Sequence, residues 1–596
     1  MKKLFLISFS TLMAILTLMA IACSQSRPEK SCSTYEELPD PYKSETNWEN
    51  VKSGLNFSFG SIDKRYAKHV VPEFKEKLMY WEGVSWKGER VSSQLVLWTT
   101  EEVKQVEFEI SGLKSGKNTI PDSCIQPHFV RYTMTDEFAG GCGYRKPENF
   151  AASLSADVLD DIECMDMEAN SVRPVWITID VPRDVDAGIY KGKMTLYAKV
   201  NGKSFKKNLN LQLAVLDKTL TPPSEWPFYL DLWQHPTAVA RWHKVPLWSD
   251  EHFDLLRPLM KRLADAGQKV ITANLNKDPW NGQCYDRYGD MIAWTKKSDG
   301  SWSYDYTAFD RWVSMMMGLG VKKVINCYSM VPWNNELHYW DEAKNDTITV
   351  QAIPGTPVFE SMWLPFLLDF KEHLKAKSWL EITNIAMDER DPRTMKAVIG
   401  FLQKNAPEFG IALADNHKSY KEYPFLKDIS VSYGATVAPE DMKYRKEMGL
   451  ITTYYVCCSH KFPNAFTFSD PAESAFAIWF AVASGYDGLL RWAYNSWVEN
   501  PLLDTRFRTW PAGDTNFVYP ENKSSIRFER LLQGLQDVEK LRILREELSG
   551  KDGNVSKAKL DKIDDLLQRI TELSESGDDC NELVGRISRL MNELAK

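Results

Sequence analysis

Three rhythms of apolar and polar residues succeed one another along the chain, each predicting a different kind of element. From about 46 to 220 the apolar segments are short and alternate with polar residues, as at 94–99, 106–110, 175–180 and 209–215. A period of two between Gly- and Pro-containing turns predicts half-buried strands, and several in succession predict a β-sandwich. After Thr221-Pro222-Pro223 the rhythm changes to short apolar runs separated by helical stretches. The runs fall at 228–233, 269–274, 323–328, a fourth ending at Asp388, 411–415, 429–433, 450–456 and 488–494. The helical stretches fall at 255–266, 306–317, 362–377, 395–405 and 472–484. Eight such units within roughly 270 residues suit a (β/α)8 barrel. Beyond Pro520 the period becomes helical throughout, with a break at 550–553 and two more amphipathic helices in 555–595. The expected fold class is therefore α/β plus all-β: a β-sandwich (46–220), a (β/α)8 barrel (221–545) and a C-terminal helical tail (546–596).

The first residues belong to none of these. Lys2 and Lys3 precede a mostly apolar run over 4–22, and Ala20-Ile21-Ala22-Cys23 resembles a bacterial lipobox with Ala20 where Leu is usual. This predicts a signal peptide (1–22), lipidation at Cys23 and a polar tether (23–45). An ordinary signal peptide with an incidental Cys is the competing reading. No later apolar run is long enough to span a bilayer, so membrane contact is expected through the lipid anchor only. The expected location is that of an exported bacterial lipoprotein, periplasmic or outer-membrane anchored.

Composition narrows the function. The chain is 43% hydrophobic and 26% charged, which is globular. A net charge of -8 without a Lys/Arg block argues against a nucleic-acid partner. The 21 Trp, 24 Tyr and 27 Phe mostly serve packing; indoles also stack on sugar C–H faces, so this richness fits a glycan or glycoconjugate partner but does not establish one. The nine cysteines after Cys23 are irregularly spaced, and no disulfide framework follows from them. Cys457-Cys458-Ser459-His460 lacks a second ligand cluster, so no metal is expected, and no organic cofactor is implied. Gly140-Gly141-Cys142-Gly143 reads as a loop and not a phosphate cradle.

The chemistry-bearing feature is Asp388-Glu389, at the end of the fourth run. Barrel enzymes keep their chemistry at strand C-terminal ends. Asp136-Glu137 and Asp341-Glu342 also occur, and in an acidic protein such pairs are usually solvated surface. Around the same rim stand His235, Asn274, Tyr433, Tyr455, Trp492 and Asn495, the expected substrate-binding residues, although any one of them is more often core. Further rim positions are Asp231, Gln234, Asn276, Tyr328, Trp333, Asp415 and Trp497. Consecutive strand residues point to opposite faces, so Asp388 and Glu389 can serve one site only where the strand ends. They then need not form the opposed pair, about 5–5.5 Å apart, of an ordinary retaining glycosidase, and a substrate-assisted scheme suits them better.

The Asp388-Glu389 pair, the stretch Trp492-Ala-Tyr-Asn-Ser-Trp497…Asn500-Pro501…Asp504…Trp510-Pro-Ala-Gly-Asp514, and the run from Ser525 to Glu539 resemble glycoside hydrolase family 123. The resemblance implies a β-sandwich before a barrel and an exo-acting β-N-acetylgalactosaminidase. It implies that Asp388 polarises the substrate acetamido group and that Glu389 is the general acid/base. Likeness to family 20 hexosaminidases is weaker, because Asn384-Ile-Ala-Met stands where they carry His-x-Gly-Gly. A noncatalytic glycan-binding lipoprotein on a degenerate barrel, and a glycosidase of different sugar specificity, are the alternatives.

Overall fold

A computed structural model describes residues 31–32, 35–42, 46–549, 554–573 and 580–596. The expected signal peptide, Cys23 and part of the tether lie outside them. Among the described residues no helix is long and apolar enough to cross a membrane.

The N-terminal domain is a sandwich of two sheets. One runs in the order Leu55–Gly60, Arg90–Thr99, Ser171–Asp180, Ile125–Thr135 and Ser153–Asp160, antiparallel throughout. The other is built on Tyr80–Lys87, Lys203–Thr219, Gly188–Val200, Val103–Ile110 and Cys164–Met167. Leu95, Leu97, Val175 and Ile177 of the first sheet meet Val106, Leu196, Leu211 and Leu213 of the second. The strict alternation of 209–215 reflects a strand with one face in water. The first sheet does not alternate, because Val130, Tyr132 and Trp176 on its other face are also covered, with Ile526 of the C-terminal region among the covering residues.

The second domain is a sheet of eight parallel strands. They are Tyr229–Leu232, Val270–Asn274, Val324–Tyr328, Thr383–Asp388, Gly410–Asp415, Asp428–Ser432, Ile451–Tyr455 and Gly488–Arg491. The sixth and eighth stop short of the expected ends at Tyr433 and Tyr494. The Tyr494 N–H instead donates to the Trp233 carbonyl at 2.9 Å, outside any ladder. Leu230, Ile271, Ile325, Ile385, Ile411, Ile429 and Leu489 point outward to the helices and fill the main core. Residues of opposite parity point into the barrel, which is the period-two geometry of a strand.

Closure is made at two special places. Gly488 lies so near the first strand that a Cβ there would come within 1.9 Å of the Tyr229 carbonyl oxygen, so only glycine fits. Between the first and second strands the backbone ladder is sparse, with one bridge at Leu230 and Gln268. Side-chain amides complete it. The Leu232 N–H donates to Gln268 Oε1 at 3.0 Å, and the Thr272 N–H donates to Gln234 Oε1 at 2.9 Å. Gln268 Nε2 returns a bond to the Val270 carbonyl at 2.8 Å, and Gln234 Nε2 donates to the Leu232 carbonyl. Buried backbone groups need partners, and two glutamines supply them here.

A four-stranded sheet, absent from the sequence-based expectation, is inserted after the second and third barrel strands. It comprises Ala293–Lys296, Trp302–Asp305, Glu336–Asp341 and Asp346–Gln351. The C-terminal helix Ile526–Ser549 packs on Pro471–Ala483, where Gly534 lets the backbones approach. Helices Asn554–Leu573 and Cys580–Leu594 close a further cluster around Phe476, Trp479 and Trp86.

Two disulfides join distant segments, Cys32 to Cys164 and Cys142 to Cys458. The second ties the glycine-rich loop of the sandwich to the barrel mouth. The domains also share a buried ionic centre. Asp157 of the sandwich accepts from Arg527 Nε at 2.9 Å, Arg65 Nη1 at 3.0 Å and Tyr519 OH at 2.6 Å.

Candidate active site

The fourth barrel strand ends at Asp388 for a local reason. Asp391 caps the next helix, its carboxylate accepting from the Thr394 N–H at 3.0 Å, and Pro392 occupies the first helical position. Two residues, Glu389 and Arg390, separate strand from cap, and the first two after Met387 are the paired acids. Asp388 has the parity of Ala386, which faces the barrel interior. Glu389 lies past the last ladder pair, its N–H donating to the Ala414 carbonyl at 3.1 Å. Freed from the pleat, it shares a cavity with Asp388. The cavity, about 140 Å³, is also lined by Trp233, Trp280, Trp333, Tyr455, Trp492 and Trp510, with Gln283 and the Cys142–Cys458 disulfide in its wall.

The two acids have different partners. Asp388 Oδ2 accepts from the indole N–H of Trp280 at 2.9 Å and of Trp333 at 3.4 Å. Burial, and then the neighbouring Glu389 charge, push the Asp388 carboxyl up to about 7. The indole donors and Arg390 oppose that shift and lose. Glu389 instead accepts from the Tyr455 hydroxyl through Oε1. Burial and the Glu389 carboxylate push the Tyr455 phenol well above its ordinary range, so it remains a donor.

The aromatic walls are held from behind. Asp278 accepts from the Trp280 N–H at 3.3 Å and the Gly282 N–H at 2.6 Å, fixing the loop that presents Trp280. Arg390 donates to the Trp333 carbonyl at 3.1 Å and to Asn335 Oδ1 at 3.2 Å. Trp492 Nε1 donates to Asp514 Oδ2 at 3.0 Å, and Arg491 holds the other oxygen at 2.8 Å. Indole faces beside a few directed polar groups are what a pyranose requires of a pocket.

Of the six expected substrate-binding residues, Tyr455 and Trp492 line this cavity. The other four lie outside its lining. His235 is fully buried, stacked on Tyr288 at 3.7 Å, with Nδ1 3.2 Å from Ser496 Oγ. Burial, then the Arg241 charge, depresses its pKa to about 3, so the ring is neutral. Asn495 accepts from the His235 N–H at 2.9 Å and donates to its carbonyl at 3.0 Å, which makes it a structural clamp. Asn274 donates to the Asn276 carbonyl at 2.9 Å inside the second-strand loop. Tyr433 packs between Tyr454, His460 and Phe480. Trp280 and Gln283 were missed because they stand beyond the strand end, although the turn Asp278-Pro-Trp-Asn-Gly282 is a visible signal. Nothing local in the sequence brings Cys142 to the site.

The other acid pairs are structural. Asp136 is buried against Arg145 at 2.9 Å, and Glu342 pairs with Lys297 at 2.7 Å. The sulfurs of Cys142, Cys457 and Cys458 lie within 4.8 Å of one another, the one candidate metal cluster among the described residues. Two of the three are spent in the disulfide, leaving one thiol, which does not make a metal site.

Comparison with known proteins agrees with this geometry. Residues 233–544 match the glycoside hydrolase 123 catalytic domain, and residues 59–198 match the glycoside hydrolase 123 N-terminal domain. A family 123 glycoside hydrolase from Clostridium perfringens, whose structural analysis concerned glycolipid glycan hydrolysis, is 28% identical. Its TM-score is 0.80, over 91% of this chain and 98% of that one. A family 20 exo-β-N-acetylglucosaminidase from Vibrio harveyi is matched at 8% identity and a TM-score of 0.19, over 68% of this chain and 82% of that one. No curated protein matches the chain. With the catalytic-domain match spanning more than half of its length, the chain belongs to glycoside hydrolase family 123.

Proposed function

We propose that the protein is an exo-acting β-N-acetylgalactosaminidase that works by substrate-assisted retaining catalysis, with Asp388 and Glu389 as its catalytic residues. The observation that carries this reading is that two adjacent carboxylates reach one aromatic cavity with different partners. The acetamido oxygen of the bound sugar attacks its own anomeric carbon. The glycosidic bond breaks, and Glu389 gives its proton to the leaving oxygen. Water, deprotonated by Glu389, then opens the cyclised intermediate, and the configuration is retained. Both indoles donate to Asp388 Oδ2, so Oδ1 is the oxygen left to accept the acetamido N–H. That bond tightens as positive charge develops on the nitrogen. The choice of N-acetylgalactosamine is supported by the family resemblance. A glycolipid glycan as natural substrate is supported by the Clostridium perfringens relative.

The test is a panel of aryl β-glycosides of N-acetylgalactosamine, N-acetylglucosamine and galactose. Only the first should be cleaved efficiently, and a thiazoline mimic of the cyclised intermediate should inhibit. Glu389→Gln should lose roughly 10²–10⁴-fold in rate on an alkyl glycoside and less on a nitrophenyl glycoside, whose departure needs no proton. Full activity in both Asp388→Asn and Glu389→Gln would refute the assignment.

The lipobox-like segment supports anchoring of the mature protein through acylated Cys23. Metabolic labelling with a fatty acid should mark the wild type and not Cys23→Ser.

A further inference from the structure

A second, larger pocket of about 820 Å³ is lined by segments that also line the catalytic cavity. Three chain segments run from one into the other. In the sandwich loop, Cys142 walls the cavity and Pro147 the second pocket. After the second barrel strand, Gln283 faces the cavity and Tyr285 the pocket. In the segment after the eighth strand, Trp510 faces the cavity and Arg508 the pocket. Residues two apart in the chain are at most about 7 Å apart, so the two linings approach to within about one sugar's length.

Its chemistry differs from that of the cavity. Two of its four cations are committed. Arg241 is bound to Asp286 at 3.0 Å and to the carbonyls of Trp497 and Val498, and Arg506 is bound to Asp504 at 2.7 Å. The other two, Lys244 and Arg508, are exposed and have no carboxylate within 4.0 Å among the described residues. The Arg508 guanidinium lies over the Phe507 ring at 4.7 Å and donates to the Gly282 carbonyl at 3.3 Å, which sets it beside the loop carrying Gln283 and Tyr285. Tyr285 offers a ring that is 39% exposed and backed by Arg241 at 4.8 Å from the centroid. The acids in the lining are Asp504, held by Arg506, and Glu499. A half-exposed ring beside two unpaired cations, in a protein of net charge -8, matches a sugar that carries a negative charge.

We propose that this pocket is a leaving-group subsite for an anionic sugar, with Arg508 and Lys244 as its anion-binding side chains. The inference rests on the barrel mouth being the glycosidase site. The anion is a carboxylate, as in a sialic or uronic acid, or a sulfate ester. Both share the charge and the acceptor oxygens that a guanidinium binds.

The experiment uses the full chain and three oligosaccharides with the same terminal β-N-acetylgalactosamine. The adjoining unit is neutral, carboxylate-bearing or sulfate-bearing, and an aryl glycoside too short to reach the pocket is the reference. Wild type should favour at least one acidic substrate over the neutral one by about tenfold in kcat/KM at low salt, mostly through KM. That advantage should shrink as ionic strength rises towards 0.2 M. Arg508→Ala and Lys244→Ala should each erode the advantage, Arg508→Lys should keep part of it, and Glu499→Gln should widen it. Whichever acidic arm responds identifies the anion. Equal turnover of acidic and neutral substrates by wild type overturns the proposal. So does an Arg508→Ala variant that lowers all four substrates alike, the signature of a loop strut. If wild type cleaves none of the four, the functional reading has failed. Calorimetric titration with the three oligosaccharides then decides the pocket alone: tighter binding of an acidic one upholds it, and equal or absent binding refutes it.

Discussion

Asp157 and Asp388 are both withdrawn from water, yet they are treated in opposite ways. At the domain interface, burial pushes the Asp157 carboxyl up, but Arg527 and Arg65 pull it harder down, and its pKa ends below the ordinary value. At the barrel mouth Arg390 lowers the Asp388 pKa only weakly, and it ends near 7. The difference lies in the donors. Asp157 receives two cations and a phenol, whereas Asp388 receives two neutral indole N–H groups and a like charge next door. An interface carboxylate gains from full neutralisation. In the proposed mechanism Asp388 answers charge developing on a substrate nitrogen, and the lack of a counter-ion suits that role.

The contrast can be broken most forcefully at the interface. Arg527→Ala leaves Asp157 buried with one cation fewer and is expected to cost about 3–5 kcal/mol. Urea unfolding measures it, and adding Asp157→Asn should restore part of the loss. Asp388→Asn should lower kcat by on the order of 10²–10³-fold, the cost of removing one directed partner of the transition state. Its effect on stability has the other sign. The folded carboxyl holds its proton above the unfolded value, so wild-type Asp388 destabilises increasingly as pH climbs from about 4 to about 7. The Asn variant should therefore melt higher than wild type at pH 8 and similarly at pH 4. Asp157 behaves conversely: its stabilisation is present above about pH 4 and is lost as pH falls through its lowered folded pKa. Trp280→Phe keeps the ring and deletes the shorter hydrogen bond to Asp388, with an expected loss of about tenfold in kcat/KM. Its acidic limb, near pH 7 in wild type, should move upward. Trp333→Lys places a cation beside the carboxyl and should move that limb down by about one pH unit. If neither variant shifts the limb, the group titrating there is not Asp388.

The barrel was legible because its strands are apolar runs of the right length, and the sandwich because 209–215 alternates. The inserted sheet was not, since its strands are short, partly polar and embedded in what resembles long loops. At the site, Asp388 and Glu389 could be read from the abrupt end of an apolar run, and Tyr455 and Trp492 from the ends of later ones. His235 and Asn495 occupy equivalent positions along the chain but turn into a buried clamp beside the mouth. That choice is made by Ser496 and Tyr288, which touch the ring from different segments. Trp280 and Cys142 enter from loops whose approach depends on tertiary packing. No periodicity encodes such a contact.

The Cys142–Cys458 bond spans 316 residues of chain and encloses the whole junction between sandwich and barrel. A protease that nicks the chain near Pro222 would therefore release nothing. The two fragments would migrate as one species until a thiol is added, and the aromatic cavity would keep the sulfur atom lent to it by the other half.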